Sequence, residues 1–176
     1  LEYIVINDGS TDNTEEICRE HNIRTIHLIQ NLGIGGAVQT GYKFARIKGY
    51  DIAVQFDGDG QHDIQCLDAL IDPVIKGICD FSIGSRFIEN KSEFRSTAMR
   101  RFGIRFLSGI IRLMTGTKVT DPTSGFRAAN KKAIAFLSNN YPVDYPEPES
   151  IVELSKHSFR MQEVQVNMLE RTGGKS

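Results

Sequence analysis

Along the first two thirds of the chain, short apolar runs alternate with longer segments of helical period. Tyr3-Ile4-Val5-Ile6 has no polar position to give to water, so it reads as a buried strand. Ser10, Thr11 and Asp12 offer N-caps for a helix over 13–21, with Glu15 and Glu16 in the first turn, where the helix dipole favours acids. The pattern then predicts a strand over 24–29, a glycine-started helix over 33–48 and a short buried strand over 52–56. A helix over 64–76 follows, with Pro73 as the point of a kink, then a strand over 79–83 and a long amphipathic helix over 97–115. Such alternation makes an α/β fold, a mixed and mostly parallel central sheet flanked by helices. After Asp121 the pattern weakens, leaving helices over 131–138 and 151–157 and a strand over 160–167.

A chain of 176 residues, 40% hydrophobic and 24% charged, suits one globular domain and excludes disordered and fibrous classes. The longest apolar stretch, 106–114, is broken by Arg112 and is about half of the ~20 residues a membrane span needs. Cys18, Cys66 and Cys79 are odd in number and widely spaced. They point to a reducing compartment, and none has zinc-ligand spacing. Leu1 opens directly into a strand-like run, and the chain closes on Arg171-Thr172-Gly173-Gly174-Lys175-Ser176. The expectation is a single domain over 1–176, cut at the N-terminus and at the C-terminus. The formal net charge of −1 hides a division: residues 1–80 carry −7, residues 81–118 carry +6, and the rest balance. An acidic first half suits a cation site, and a basic middle suits a phosphate-bearing partner or an anionic surface. Solvated helix faces would give the same counts.

Both central strands run into carboxylates. The first leads into Asn7-Asp8-Gly9-Ser10, and 52–56 leads into Asp57-Gly58-Asp59-Gly60-Gln61-His62. Ligands of open α/β sheets bind beyond the carboxyl ends of the strands. If these strands are parallel neighbours, Asp8, Asp57 and Asp59 gather at one edge. Asp-x-Asp in extended chain sends both carboxylates to one side, and two carboxylates with amide and water oxygens suit Mg²⁺ or Mn²⁺. The plainer alternative is an Asp/Gly turn that only caps the next helix.

Five segments stand in a particular order: Val5-Ile6-Asn7-Asp8-Gly9-Ser10-Thr11-Asp12, Asn31-Leu32-Gly33-Ile34-Gly35-Gly36-Ala37, Asp57-Gly58-Asp59-Gly60-Gln61-His62, Gly84-Ser85-Arg86 and Asp121-Pro122-Thr123-Ser124-Gly125-Phe126-Arg127. In that order the chain resembles family 2 glycosyltransferases of GT-A fold over nearly its whole length. It looks most like the dolichol-phosphate mannosyltransferase type and its bacterial polyprenyl-phosphate relatives. The family's first strand, followed by an Asn-Glu pair, has no counterpart here. The resemblance implies that Asp8 accepts a hydrogen bond from the nucleotide base, which must then present an N–H edge. It implies that Asp57 and Asp59 hold the metal with Gln61 as an oxygen ligand, and that the metal clamps the leaving diphosphate. Gly9, Gly33, Gly35, Gly36 and Gly58 would allow close approach of the nucleotide. Arg86 and Arg127 would bind donor or acceptor phosphate through their forked guanidinium groups.

The implied donor is a nucleotide-diphosphate sugar, and the implied reaction is an inverting displacement at the anomeric carbon. The acceptor is a polyprenyl phosphate or a saccharide hydroxyl. A hydroxyl needs a general base, with Asp121, Asp144, Glu147 and Glu149 as candidates, whereas a phosphate monoester is already anionic near pH 7. Tyr145-Pro146-Glu147-Pro148-Glu149 looks like an active-site loop of bacterial members, or else a proline-stiffened linker. On the basic helix, Phe102, Phe106, Leu107, Ile110, Leu113 and Met114 share one face and Arg101, Arg105 and Arg112 another. It reads either as a surface helix near anionic head groups, bringing a lipid phosphate to Arg86 and Arg95, or as a core-facing helix with a basic outer face. The basic segment favours the lipid phosphate and peripheral association at the cytoplasmic face of a membrane. A membrane-protein partner or a second copy of the chain stays open, and nucleic acid is not expected. A sugar nucleotidyltransferase and a non-catalytic binding domain remain as other classes. Gly173-Gly174-Lys175-Ser176 imitates a P-loop, but Leu169 stands where its first glycine belongs.

Overall fold

A computed structural model describes residues 1–88 and 98–169. The elements run β1 (Val5–Asn7), α1 (Thr14–Glu20), β2 (Thr25–His27), α2 (Gly33–Lys48), β3 (Ile52–Gln55), α3 (Leu67–Ile75), β4 (Phe81–Ser85), α4 (Ala98–Thr115), β5 (Arg127–Asn130), α5 (Lys131–Asn140), α6 (Pro146–Lys156) and β6 (Met161–Gln165). The helix expected over 64–76 is divided. Ile64–Cys66 is a 3-10 turn whose Asp63 cap accepts from the Gln65 amide at 2.9 Å, and α3 follows it. Pro73 stands in the last turn of α3, which ends two residues later.

β1 and β2 pair in parallel as a two-stranded sheet. The other four strands form a mixed sheet in the order β3-β5-β4-β6, with β5 antiparallel to both of its neighbours and β4 parallel to β6. The architecture is therefore α/β, with a central mixed sheet flanked by helices. Three expectations change. β1 is not hydrogen-bonded to β3, so Asp8 and Asp57 do not end neighbouring strands. The strand expected over 79–83 lies two residues later. Residues 145–149 are not a loop but lead into α6, whose first residue is Pro146; there the missing N–H leaves no helical bond unmade.

β5 falls where the hydrophobic pattern had faded. Arg-Ala-Ala-Asn has no β-branched residue, and it is a strand because it is hydrogen-bonded on both edges. Ala128 packs with Leu70, Val74 and Phe126 on the α3 side of the sheet. Ala129 packs with Phe81, Ile134 and Leu137 on the other side. Small residues here let helices close on both faces, and the period of two assigns each alanine to its own layer.

α4 differs most from the expectation of a core-facing apolar stripe. Ile104 and Ile111 are buried, with Leu107 packed against the same cluster. Phe102, Phe106 and Leu113 lie on the opposite side and are 72%, 63% and 88% exposed. At 100° per residue the helix has two apolar faces, one inside and one outside, with the exposed Arg101, Arg105 and Arg112 on a flank between them. Arg95 and the tail 171–176 lie outside the described residues. Among the described residues no helix is long and apolar enough to cross a membrane.

At β4's N-terminal edge, Asp80 is buried and accepts from the Arg160 amide at 2.9 Å, the Arg160 guanidinium at 3.1 Å and Asn130 Nδ2 at 3.0 Å. Burial alone would raise its carboxyl, but these hydrogen bonds outweigh it and hold it at about 2, below the ordinary 3.8. A depressed carboxyl contributes stability above its unfolded value, and that contribution is lost as pH falls through about 2. Because Arg160 is exposed, the expected cost of Asp80→Asn at pH 7 is discounted to about 1–2 kcal/mol. Urea midpoints should show the gap from wild type closing as the pH is lowered toward 2.

Candidate active site

β3 delivers Asp57, and the turn that follows folds back on it. Asp59 Oδ1 accepts from the Gln61 amide at 3.0 Å, which closes a tight Asx turn. His62 is buried, and its Nδ1 accepts from the Asp57 backbone N–H at 3.1 Å. A backbone N–H can only donate, so Nδ1 carries the lone pair and the proton of the neutral ring sits on Nε2, 3.5 Å from Asp57 Oδ2. Burial lowers the His62 pKa and Arg86 lowers it further, while Asp57 and Asp59 oppose them without prevailing. The ring stacks on Phe126, with centroids 4.8 Å apart at 16°, and takes the edge of Phe56 at 5.2 Å. Gly125 lies against the carboxylate: a Cβ there would collide with Asp57 Oδ2 and come within 3.1 Å of Cγ and Oδ1. Only glycine lets the 121–127 loop lie against the carboxylate.

Arg86 and Arg127 are turned inward. Arg86 is 3% exposed and grips Asp121 with Nε at 2.6 Å and an Nη at 2.7 Å, the second Nη bond going to Thr123 Oγ1 at 3.0 Å. Asp121 is fully buried and also accepts from the Arg86 amide at 3.2 Å. Both its oxygens are committed to this pair, so it stands here as a counter-ion and not as an open base. Arg127 is fully buried as well, and its guanidinium meets only neutral oxygens among the described residues. These are the carbonyls of Ser124 (2.7 Å), Pro122 (3.2 Å) and Glu147 (2.9 Å), and Ser150 Oγ (2.6 Å).

Two residues outside the five motifs belong to this network. Glu163 on β6 accepts from the Thr120 and Asp121 amides, both at 2.8 Å, and from Thr120 Oγ1 at 3.0 Å. Its only signal in the sequence is an acid within an expected strand. Tyr141, just past α5, donates to Gln55 Oε1 at 3.2 Å. Burial raises its phenol to about 12; Arg127 opposes this, while Glu147 and Asp57 add to it. Glu147 and Asp57 thus share the electrostatic surroundings of Tyr141. Glu147 is half-buried, whereas Asp144 and Glu149 are exposed.

Asp8 sits at the start of α2, where its Oδ1 accepts from the Leu32 amide at 2.7 Å. Gly9 and Gly33 have φ of +69° and +74° and turn the chain at the two sides of this contact. Gly36 packs on the Leu32 side chain, and Gly58 has open space where a Cβ would be.

The family described as glycosyl transferase family 2 matches residues 1–137. This chain belongs to that family. As a glycosyltransferase it is 34% identical over 186 residues to the UDP-N-acetylglucosamine–dolichyl-phosphate N-acetylglucosaminyltransferase of Methanococcus voltae, covering 94% of this chain and 74% of the relative. It is 27% identical to the undecaprenyl-phosphate mannosyltransferase of Micrococcus luteus, covering 98% and 74%. Among solved structures, glucosyl-3-phosphoglycerate synthase of Mycobacterium tuberculosis, in complex with Mn²⁺, uridine diphosphate and phosphoglyceric acid, superposes with a TM-score of 0.72 at 19% identity. That match covers 99% of this chain and 61% of the synthase, so the chain spans about three fifths of that protein. It shows the GT-A fold.

Removing the counter-ion of a buried charge costs about 3–5 kcal/mol, so Asp121→Asn should lower the unfolding free energy of the glycosyltransferase by that order. Glu147→Gln should leave it within about 0.5 kcal/mol, because the fold uses the backbone carbonyl of Glu147. Urea unfolding of the two variants beside wild type checks both.

Proposed function

We propose that this glycosyltransferase moves a sugar from a nucleotide-diphosphate donor to a polyprenyl phosphate at a membrane surface, by metal-dependent, inverting displacement. The observation that carries the acceptor is the outer face of α4. Phe102, Phe106 and Leu113 stand in solvent beside Arg101 and Arg105, a pattern that suits the boundary between acyl chains and anionic head groups. The names of the archaeal and bacterial relatives, which act on dolichyl and undecaprenyl phosphates, support the same class.

Asp57 and Asp59 are the metal-holding pair, with Gln61 completing an oxygen-only donor set that fits a hard cation. Among the described residues no group of three or more His, Cys, Asp or Glu side chains gathers to enclose an ion, which fits a site sharing its cation with a diphosphate. Bound Mg²⁺ or Mn²⁺ supplies Lewis-acid stabilisation of the leaving diphosphate. Asp8 keeps Oδ2 without a partner among the described residues, and this oxygen accepts the N–H edge of the nucleotide base. Arg127 contributes charge rather than contact, as a fixed cation with no carboxylate of its own. An oxygen of the acceptor phosphate attacks the anomeric carbon as the bond to the β-phosphate breaks, and the nucleoside diphosphate departs with the electron pair. The attacking oxygen is already ionised, so no proton has to be removed. A saccharide hydroxyl is the alternative acceptor, and Glu147 is then the base, being half-buried and close enough to influence Tyr141.

The test is sugar transfer by the full-length protein from UDP-, GDP- and dTDP-sugars to undecaprenyl phosphate, with flotation on phosphatidylglycerol vesicles. One donor should serve, with activity reduced at least about a hundredfold by EDTA or by Asp59→Ala. Phe102→Ser with Phe106→Ser should weaken flotation without loss of fold. Transfer to a saccharide with none to the lipid phosphate would overturn the acceptor, and full activity in EDTA would overturn the metal.

A further inference from the structure

We infer that His62 is a positioning residue that sets Asp57 by anchoring its backbone N–H through Nδ1 and placing Nε2 beside its carboxylate. The inference rests on the metal-holding reading of Asp57 and goes beyond it, since it gives His62 a part in ordering Asp57 and none in holding the metal. Nδ1 accepts from the Asp57 N–H at 3.1 Å, and Nε2 lies 3.5 Å from Oδ2. The second distance is longer than a good hydrogen bond, so the first contact anchors and the second biases.

The imidazole is itself held. It is stacked on Phe126 and edged by Phe56, and a backbone bridge joins His62 to Met168. Beside it, the Gln61 carbonyl accepts from the Leu169 amide at 2.8 Å. Gly125 also lies against the same carboxylate, so Asp57 is contacted by both a ring and a backbone. It keeps about a third of its surface open. Partners of this kind commonly change metal affinity ten- to a hundredfold when removed, because the ligand must then be ordered at the moment of binding.

The plain alternative is a histidine that merely fills space between two phenylalanines. His62→Phe separates the two readings, keeping the stack and the approximate volume while deleting both nitrogens. Mn²⁺ binding to the full-length protein is counted by electron paramagnetic resonance of the free ion, with UDP and separately with GDP. The expected result is a Kd for Mn²⁺ raised about ten- to a hundredfold, with Tm and metal-free nucleotide binding near wild type. His62→Asn keeps an acceptor for the Asp57 N–H and loses the donor to Oδ2, so its loss should be intermediate.

Unchanged Mn²⁺ affinity in His62→Phe overturns the inference. Should that variant fail to fold, His62→Asn decides alone, and wild-type affinity there overturns it equally. Wild-type protein that binds nucleotide but no Mn²⁺ is a different failure. It removes the metal reading of Asp57, and this inference with it.

Discussion

The guanidinium of Arg127 is the fastening on which the site depends. A buried cation is costly unless every donor is directed at an acceptor, and this one is met by carbonyls on both sides of a seam. Pro122 and Ser124 belong to the loop before β5, and Glu147 and Ser150 to the first turns of α6. Tying the two together sets the path of residues 124–126. That path presses Gly125 onto Asp57 and slides Phe126 beneath His62. A lysine could not do this, because a single ammonium cannot span four acceptors in a planar fork.

Charge is distributed in layers around the reacting edge. Arg86 is neutralised by Asp121, which Glu163 supports from behind through backbone amides. Arg127 has no carboxylate partner among the described residues, and Asp57 and Asp59 are half-buried. The inner layer therefore serves the rigidity of the fold. The same division explains α4, which spends Ile104 and Ile111 on the core and leaves a second apolar strip with nothing of this chain's described residues over it.

The residue spacing made legible that Asp8 follows β1 and that Asp57 and Asp59 follow β3, along with most of the elements up to residue 115. Three things were not. β5 has two alanines where strands usually carry bulk, and only its neighbours on both edges make it a strand. The burial of Arg86 and Arg127 was hidden because a sequence displays a charge without displaying what surrounds it, so arginines in a binding motif read as ligand contacts. The direction of α4 was hidden because an apolar stripe has the same period whichever medium it meets. Its inward face needs only Ile104, Leu107 and Ile111, and the larger residues lie outside. Glu163 gave no signal beyond an acid within an expected strand, and Tyr141 gave none, because their partners are far away in sequence.

The placement of β5 between β3 and β4 has a consequence in time. Synthesis delivers β3 and β4 well before the strand that joins them, so until residue 130 has emerged the two have no hydrogen-bonded contact through the sheet. Arg127 then waits for Glu147 and Ser150 before its donors are satisfied. Such long-range closure is entropically slow. A growing chain therefore carries its acidic turn without the backing that shapes it until α6, and after it residues 168 and 169, have joined the fold.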